Sequence, residues 1–178
     1  MYVPNSYEFF WNTSADSFRD RMLKEYNRFW NETRLKRAEA IGLSPLEVVT
    51  LASIVHKETA MVDERPRVAG VYMNRLNRNM LLQADPTIQY IIPGGNRRLY
   101  NKDLKLDSPY NTYRFQGLPP GPIASPGEAS IRAALYPIQT NYLYFVSRND
   151  GSHQFSTTLA EHNLAVKKYQ LQRRRRSS

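Results

Sequence analysis

The sequence predicts an α+β fold: a helical core with a central buried helix that ends at Glu58, plus short antiparallel strands and a C-terminal hairpin and helix. Three observations support this prediction. Residues 45–58 have the pattern of a helix that is apolar on nearly every side. Residues 80–127 hold seven of the 11 prolines, which favours loops. Residues 142–155 place β-forming residues around an Asn-Asp-Gly turn, as in a β-hairpin.

The N-terminal third is predicted to contain one short strand and one long helix. Residues 2–10 are rich in β-formers with a proline near the start, which indicates an edge strand. A helix start follows at Thr13–Asp16, and apolar residues recur at helical spacing beyond it. This helix is predicted to run to about Ala40, with Gly42 as its C-terminal stop.

The strongest helix signal lies at Ser44. Ser44 and Glu47 have the spacing of a capping box, and Pro45 fits the first helical position. The run from Val48 to Val55 is apolar on nearly every side, so this helix is predicted to be buried at the middle of the domain.

The remaining elements follow from shorter signals. Pro66 is expected to open another helix, and residues from Gly127 to Tyr136 to form a short one. Residues 142–146 and 153–155 are predicted to pair as the hairpin, and a closing helix is expected from Thr158 to about residue 172. Residues 1–172 are therefore predicted to form one domain, and residues 173–178 a disordered basic tail.

Composition limits the possible functions. The chain has no cysteine, which excludes disulfides, Cys-ligated zinc and a thiol nucleophile. Its formal net charge is +9, and the four arginines of Arg173–Arg176 supply a large part of it. The tail is either a solvated terminus or an anchor on anionic polymer or lipid headgroups. The milder charge of the rest suits nucleic acid, a cell-wall polymer or another anionic partner.

Glu58 is the first candidate for chemistry. It follows the apolar run and lies near the face of Ile54 and Val55. A carboxyl at the rim of an apolar surface loses solvation, which raises its pKa and suits a general acid. The structural alternative is a solvated glutamate at a helix end.

Two loop segments supply further candidates. Asp85, in Gln83–Thr87, is expected to cap a short helix through Tyr90, or to share a cleft with Glu58 and Gln83. The Tyr- and Asn-rich segment Ser108–Tyr113 suits sugar binding or a rigid packed loop. The Pro- and Gly-rich segment Gly117–Ile123 suits a groove wall.

Other catalytic motifs are absent from the sequence. The three histidines lack metal-ligand spacing, and His162 is interpreted as part of a packed polar cluster with its neighbours. Neither a nucleophile elbow nor a phosphate-binding glycine loop occurs.

Six ordered motifs together resemble the YceG-like family, whose members are endolytic murein transglycosylases. The motifs are Leu51–Thr59, Glu64–Leu76, Leu82–Thr87, Ser108–Thr112, Gly117–Ile123 and Glu161–Asn163. Pro4–Glu8 is similar to the first strand of the family, so the resemblance covers roughly residues 1–170.

The resemblance implies a lytic transglycosylase domain with Glu58 as the catalytic residue. Many members carry Glu where this chain has His56, which is read here as a neighbour of the catalytic position. The implied substrate contacts are Gln83, Asp85, Thr87, Tyr110, Asn111 and Asn74. No metal and no cofactor are implied.

The resemblance also implies partners and a location. The expected partners are peptidoglycan glycan strands and, for the full-length protein, peptidoglycan synthases, with no nucleic acid. Family members carry an N-terminal membrane anchor and a LysM-like domain, so this chain is expected to be a soluble fragment of an enzyme on the extracytoplasmic face of the bacterial inner membrane.

Three alternatives remain open at this point. The chain could be a peptidoglycan-binding module without activity. It could be a hydrolytic muramidase in which Asp85 serves as the second carboxylate. A basic nucleic-acid binder would show steep salt dependence, but the sequence has no recognisable nucleic-acid motif.

Overall fold

A computed structural model describes residues 6–95 and 97–171. These residues form seven α-helices and one two-stranded antiparallel sheet, as the α+β prediction requires. The helices are α1 (Ala15–Phe29), α2 (Glu32–Ala40), α3 (Pro45–Glu58), α4 (Arg65–Asn77), α5 (Asp85–Ile91), α6 (Glu128–Leu135) and α7 (Leu159–Val166). The strands are β1 (Tyr144–Ser147) and β2 (His153–Ser156). Short 3-10 turns at Val62–Glu64 and Asp103–Lys105 and a π-helical turn at Lys167–Leu171 complete the order.

Helix α3 is the centre of the core, as predicted. Every residue from Val48 to Val55 is buried, and the helix packs mainly against α6 and α4. The predicted capping box is present, since the Ser44 side chain accepts from the Glu47 amide while Glu47 accepts from the Ser44 amide. The helix ends at Glu58, so the core fixes where that carboxyl lies.

Helix α4 lies very close to the segment that follows α6. A β-carbon added to Gly70 would lie 2.5 Å from the backbone oxygen of Ile138. The Ile138 amide also donates a hydrogen bond to the backbone oxygen of Pro66 at 2.9 Å. Only glycine permits this approach, which brings the chain back towards β1.

The prediction of one long helix up to Ala40 is wrong, because the helix is broken into α1 and α2. Trp30 leaves the helical conformation and is buried, at 5% exposure. Asn31 then caps α2, and its side chain accepts from the Arg34 amide at 3.0 Å. A capping side chain directly after a buried aromatic residue ends one helix and starts the next.

The predicted edge strand is also wrong over the part that can be compared. Residues 6–10 form no strand, and residues 1–5 lie outside the described part of the chain. The Phe9 ring instead packs on Phe18, with 5.1 Å between ring centroids. The sheet formed by the described residues contains only β1 and β2, so these β-formers have no strand to pair with.

The hairpin and closing helix are confirmed. Phe145 pairs with Phe155 in the antiparallel register, and α7 packs on both strands. The closing helix continues through the π-helical turn to Leu171, and residue 172 lies outside the described part. Within the described ranges, no single helix has the length and apolarity of a membrane span. The pair α2 and α3, bent by 77°, meets that test only when combined.

Candidate active site

A cavity of about 250 Å³ lies where α3 ends and where α4, α5, β1 and α7 meet. We call it the Glu58 cavity. It is lined by Glu58, Tyr72, Arg75, Leu82, Gln83, Asp85, Tyr113, Tyr144, Phe145 and His162. The lining combines aromatic rings with two carboxyl groups and one guanidinium, which suits a polar ligand with apolar faces such as a sugar.

Glu58 is half-buried at the C-terminal end of α3. The Tyr72 hydroxyl donates to its Oε1 at 3.0 Å. Burial raises the pKa of Glu58 to about 7; the hydrogen bond from Tyr72 acts in the opposite direction, and the negative charge of Asp85 adds to the rise. A carboxyl with this pKa holds its proton in a large fraction of molecules near neutral pH, as a general acid must.

Tyr72 positions this carboxyl from helix α4. Its side chain is 1% exposed and meets the Phe145 ring edge to face, with 5.8 Å between centroids. Burial, together with the charge of Glu58, raises the pKa of Tyr72 well above its ordinary value. Tyr72 therefore remains a hydrogen-bond donor to Glu58 throughout the physiological pH range.

Asp85 lies across the cavity as the first residue of α5. The prediction that it caps this helix is wrong, because Ala84 occupies the cap position and α5 has no side-chain cap. The Asp85 carboxylate instead accepts a hydrogen bond from the Tyr113 hydroxyl. Burial and this hydrogen bond raise the pKa of Tyr113 above its ordinary value.

A set of hydrogen bonds around Thr112, which we call the Thr112 clamp, ties the start of α5 to the loop before Tyr113. The Thr112 carbonyl accepts from the Gln83 amide and its hydroxyl from the Ala84 amide, both at 3.0 Å. The Thr112 and Thr87 hydroxyls lie 2.9 Å apart. The clamp fixes Asp85 and Tyr113 relative to each other.

Two of the implied substrate contacts, Thr87 and Asn111, are buried behind the cavity wall. Thr87 is fully buried within the clamp. Asn111 is also fully buried; its amide donates to the oxygens of Leu104 (3.1 Å) and Leu106 (2.7 Å), and its side-chain oxygen accepts from the Tyr113 amide (2.9 Å). The structure therefore does not bring Thr87 or Asn111 to the surface of the cavity.

Tyr110 and Asn74 also lie outside the Glu58 cavity. Tyr110 is half-buried against the core, and its ring packs on Tyr90 with 5.0 Å between centroids. Asn74 donates to the oxygens of Thr140 and Tyr142 at 2.8 and 2.9 Å, on a separate cleft beside Gly70. Of the implied contacts, the structure brings only Gln83 and Asp85 together with Glu58.

Gln83 has a backbone conformation that is uncommon for a residue with a side chain, with φ at +52°. Such backbone strain costs about 1–3 kcal/mol and persists where the surroundings impose it. Here the Thr112 clamp holds its amide. The strained residue lies on the cavity wall, where it presents an amide side chain.

Arg75 joins three walls of the cavity. Its Nε donates to the Leu143 oxygen at 2.7 Å, and its Nη1 to the oxygens of Leu81 and Leu82, both at 3.0 Å. The guanidinium lies 5.2 Å from the centre of the Tyr144 ring. The sequence does not single out Arg75, because its acceptors are backbone oxygens of the loop after α4 and of the distant Leu143, which leave no motif.

The sequence predicts a packed polar cluster around His162, but in the structure its ring lines the cavity. Its ring stacks on Tyr144 with 5.3 Å between centroids, and its buried Nδ1 has no hydrogen-bond partner among the described residues. Burial and the charge of Arg75 lower the pKa of His162. The motif Glu161–Asn163 was the available signal for this position.

The other two histidines lie away from the cavity. His56 Nδ1 lies 3.3 Å from the Ser130 hydroxyl, between α3 and α6. His153 Nδ1 lies 2.8 Å from Oε2 of the buried Glu64. Within residues 6–95 and 97–171, no three His, Asp or Glu side chains form a cluster suited to a metal ion.

Comparison with known proteins places these features in one family. The family model described as the YceG-like family matches residues 1–168. A protein from Bacillus subtilis named endolytic murein transglycosylase is 40% identical over 158 residues, which cover 89% of this chain and 44% of that protein. A protein of the same name from Streptococcus pneumoniae is 33% identical, with 92% of this chain and 30% of that protein covered.

A solved structure shares the fold. The crystal structure of a YceG-like protein from Listeria monocytogenes matches with a TM-score of 0.78 and 38% identity, over 91% of this chain and 52% of that one. The chain spans less than half the length of the two curated relatives described above.

Proposed function

Because this chain belongs to the YceG-like family, we propose that it is the catalytic domain of an endolytic lytic transglycosylase. It cleaves the MurNAc–GlcNAc β-1,4 bond within peptidoglycan strands and leaves a 1,6-anhydro-MurNAc end. The observation that carries this proposal is the Glu58 carboxyl, with its pKa raised to about 7, inside an aromatic-lined cavity. The names of the relatives agree with it.

The first step is protonation of the leaving group by Glu58. The bond between C1 of MurNAc and the bridging oxygen breaks, and its electron pair stays on that oxygen, which takes the proton from Glu58. Positive charge develops at C1 and the ring oxygen. Glu58 becomes a carboxylate, and the Tyr72 hydroxyl stabilises this charge through the hydrogen bond at 3.0 Å.

The second step uses the substrate's own hydroxyl. The C6 oxygen of MurNAc attacks C1, and its proton passes to Glu58, which regains its starting state. Because the hydroxyl is tethered to the same ring, the step is intramolecular and needs no water. One carboxyl thus serves as acid and then as base, and the proposed reaction uses no cofactor.

The residues that we propose as substrate contacts differ from those implied by the sequence. Gln83 and Asp85 retain this role, and Tyr113, Tyr144 and His162 join them on the cavity wall. Thr87 and Asn111 support the site from behind, because both are buried.

The proposed substrate implies a cellular location for the full-length enzyme. Peptidoglycan lies outside the cytoplasmic membrane, so we propose that the full-length enzyme works on the extracytoplasmic face of the bacterial inner membrane. Contact with peptidoglycan synthases is part of the same proposal. Co-purification of the full-length protein with a synthase from solubilised membranes would support that contact, and its failure to co-purify would count against it.

The product mass tests the reaction. The protein is incubated with purified peptidoglycan, and the fragments are analysed by mass spectrometry. We expect anhydro products released from within strands, and a loss of about a hundredfold or more for Glu58→Gln. Glu39→Gln, an exposed position on α2, is the matched control and should retain full activity.

Other outcomes separate the alternatives. Products heavier by one water would indicate a hydrolytic muramidase. Glycan binding without cleavage would indicate a binding module. Binding to DNA or RNA that weakens steeply with salt, without cleavage of peptidoglycan, would indicate a nucleic-acid binder.

A further inference from the structure

We propose that Asp85 is a second catalytic residue, whose carboxylate stabilises the positive charge that develops on the MurNAc ring as the glycosidic bond breaks. The inference rests on the proposed function, because it assigns a role within that reaction. A lytic transglycosylase can complete its chemistry with one carboxyl, so the presence of a second in the same cavity requires its own explanation.

The first support is the position of Asp85. Glu58 and Asp85 come from different helices, at the end of α3 and the start of α5, and both line the Glu58 cavity. The charge of Asp85 acts on Glu58 and favours its protonated form. A second anion near the acid therefore helps Glu58 to carry the proton that it must deliver.

The second support is that Asp85 is held in place. The backbone directly before it is fixed by the Thr112 clamp, through the amides of Gln83 and Ala84. The Tyr113 hydroxyl binds Asp85 Oδ1, and the Tyr113 amide is in turn bound by Asn111. Charge fixed before the reaction stabilises a transition state without the cost of reorganisation.

The third support is that one oxygen of the Asp85 carboxylate, Oδ2, accepts no hydrogen bond from the described residues. Oδ1 accepts from Tyr113, whereas no described residue donates a hydrogen bond to Oδ2. Asp85 is also exposed to solvent. One oxygen is therefore anchored to the protein and the other is available to the substrate.

The reaction creates a positive charge that the Asp85 carboxylate can stabilise. When the C1–oxygen bond breaks, its electron pair leaves with the bridging oxygen, and C1 and the ring oxygen share a positive charge until the C6 oxygen attacks. An anion near that ring lowers the energy of this charged state. Asp85 forms no bond and moves no proton in the reaction.

The charged and titratable groups around Glu58 set its pH response. Tyr72 from α4 and Asp85 from α5 act on it directly. The same cavity is also lined by Arg75 from α4, Tyr113 from the loop before Arg114, Tyr144 from β1 and His162 from α7. Among these groups Asp85 is the anion beside Glu58, so its removal isolates one effect.

The test is Asp85→Asn, assayed on short soluble glycan strands by kcat, KM and the pH dependence of kcat/KM. Asp107→Asn is the matched control, because Asp107 is an exposed aspartate paired with Arg114 at 3.2 Å outside the cavity. We expect kcat to fall by about 10- to 100-fold for Asp85→Asn with KM little changed, and no change for the control.

The pH profile provides a readout that a structural role would not move. Glu58 must be protonated to act, so activity falls as pH rises through its pKa. Removal of the Asp85 charge lowers that pKa, and this basic limb should move to lower pH. Tyr113→Phe keeps the Asp85 carboxylate but removes the hydrogen bond that holds it in place. This variant should therefore reduce kcat less than Asp85→Asn does.

Two results would overturn the inference: a rise in KM with kcat unchanged, or a basic limb that stays in place in Asp85→Asn. If Asp85→Asn melts well below the wild type, the kcat of Tyr113→Phe decides instead, and wild-type kcat in that variant would overturn the inference. If the wild-type protein makes no anhydro product, the proposed function itself fails, which is a separate outcome.

Discussion

Replacement of Glu58 by glutamine should make the protein more stable while it removes activity. The carboxyl has a pKa of about 7 in the folded protein, against an ordinary value of 4.5, and burial is the main cause. Folding therefore places the charged form in a less favourable environment whenever the pH is high enough to ionise it. Glutamine has nearly the same shape, can accept the hydrogen bond from Tyr72, and carries no charge.

The magnitude follows from the two pKa values. The folded state binds the proton more tightly, so the penalty is absent below about pH 4.5, grows between pH 4.5 and 7, and is complete above pH 7. At about 1.4 kcal/mol per pH unit, the limit is about 3 kcal/mol. Because Glu58 keeps some contact with solvent, we expect about 1–3 kcal/mol.

The assay is thermal unfolding of the wild type and Glu58→Gln at pH 4.5 and pH 8. For a chain of this size the variant should melt about 2–10 °C higher at pH 8, and the difference should shrink towards zero at pH 4.5. Glu39→Gln should show no such pH-dependent gain. Equal melting temperatures of wild type and Glu58→Gln at pH 8 would show that Glu58 is solvated, and would remove the main reason to treat it as the acid.

Two further predictions concern the support of the cavity. Asn111→Ala leaves the oxygens of Leu104 and Leu106 without their donor, so the free energy of unfolding should fall by about 2–4 kcal/mol. Asn141→Ala, at an exposed loop position, is the control. If Asn111→Ala melts within about 1 °C of the wild type, the structural role of Asn111 is contradicted. Gly70→Ala should lose about 1–3 kcal/mol in the same measurement, because its new β-carbon would lie 2.5 Å from the Ile138 oxygen. A gain in stability, as alanine normally gives inside a helix, would show that the two segments separate easily.

Local signals were sufficient to predict most of the fold. The capping box at Ser44 and the apolar run after it are contiguous in sequence, and the structure confirms the buried helix that they predict. The hairpin turn at residues 149–151 was equally local. The break at Trp30 was not predicted, because Trp30 continues the aromatic periodicity of α1 and its burial depends on distant segments.

The cavity was predictable only in part, for the same physical reason. Glu58 was selected because its position follows directly from the apolar helix before it. Asn111 was selected as a sugar contact because an amide suits that role, yet the same donors and acceptor can satisfy backbone groups inside a loop. Its burial depends on how residues 104–106 fold over it, and no spacing rule contains that information. The boundary of the domain at residue 172 stays a prediction.

The hydrogen bonds of Arg75 have a consequence for how the molecule fluctuates. One guanidinium binds the hairpin through Leu143 and the loop after α4 through Leu81 and Leu82. Neither segment can swing away without leaving a buried cation short of acceptors, which is costly. Local opening of the hairpin is therefore tied to opening of the loop, and we expect these two walls to exchange their amide hydrogens as one cooperative unit. Loss of either wall would therefore open the cavity on both of these sides at once.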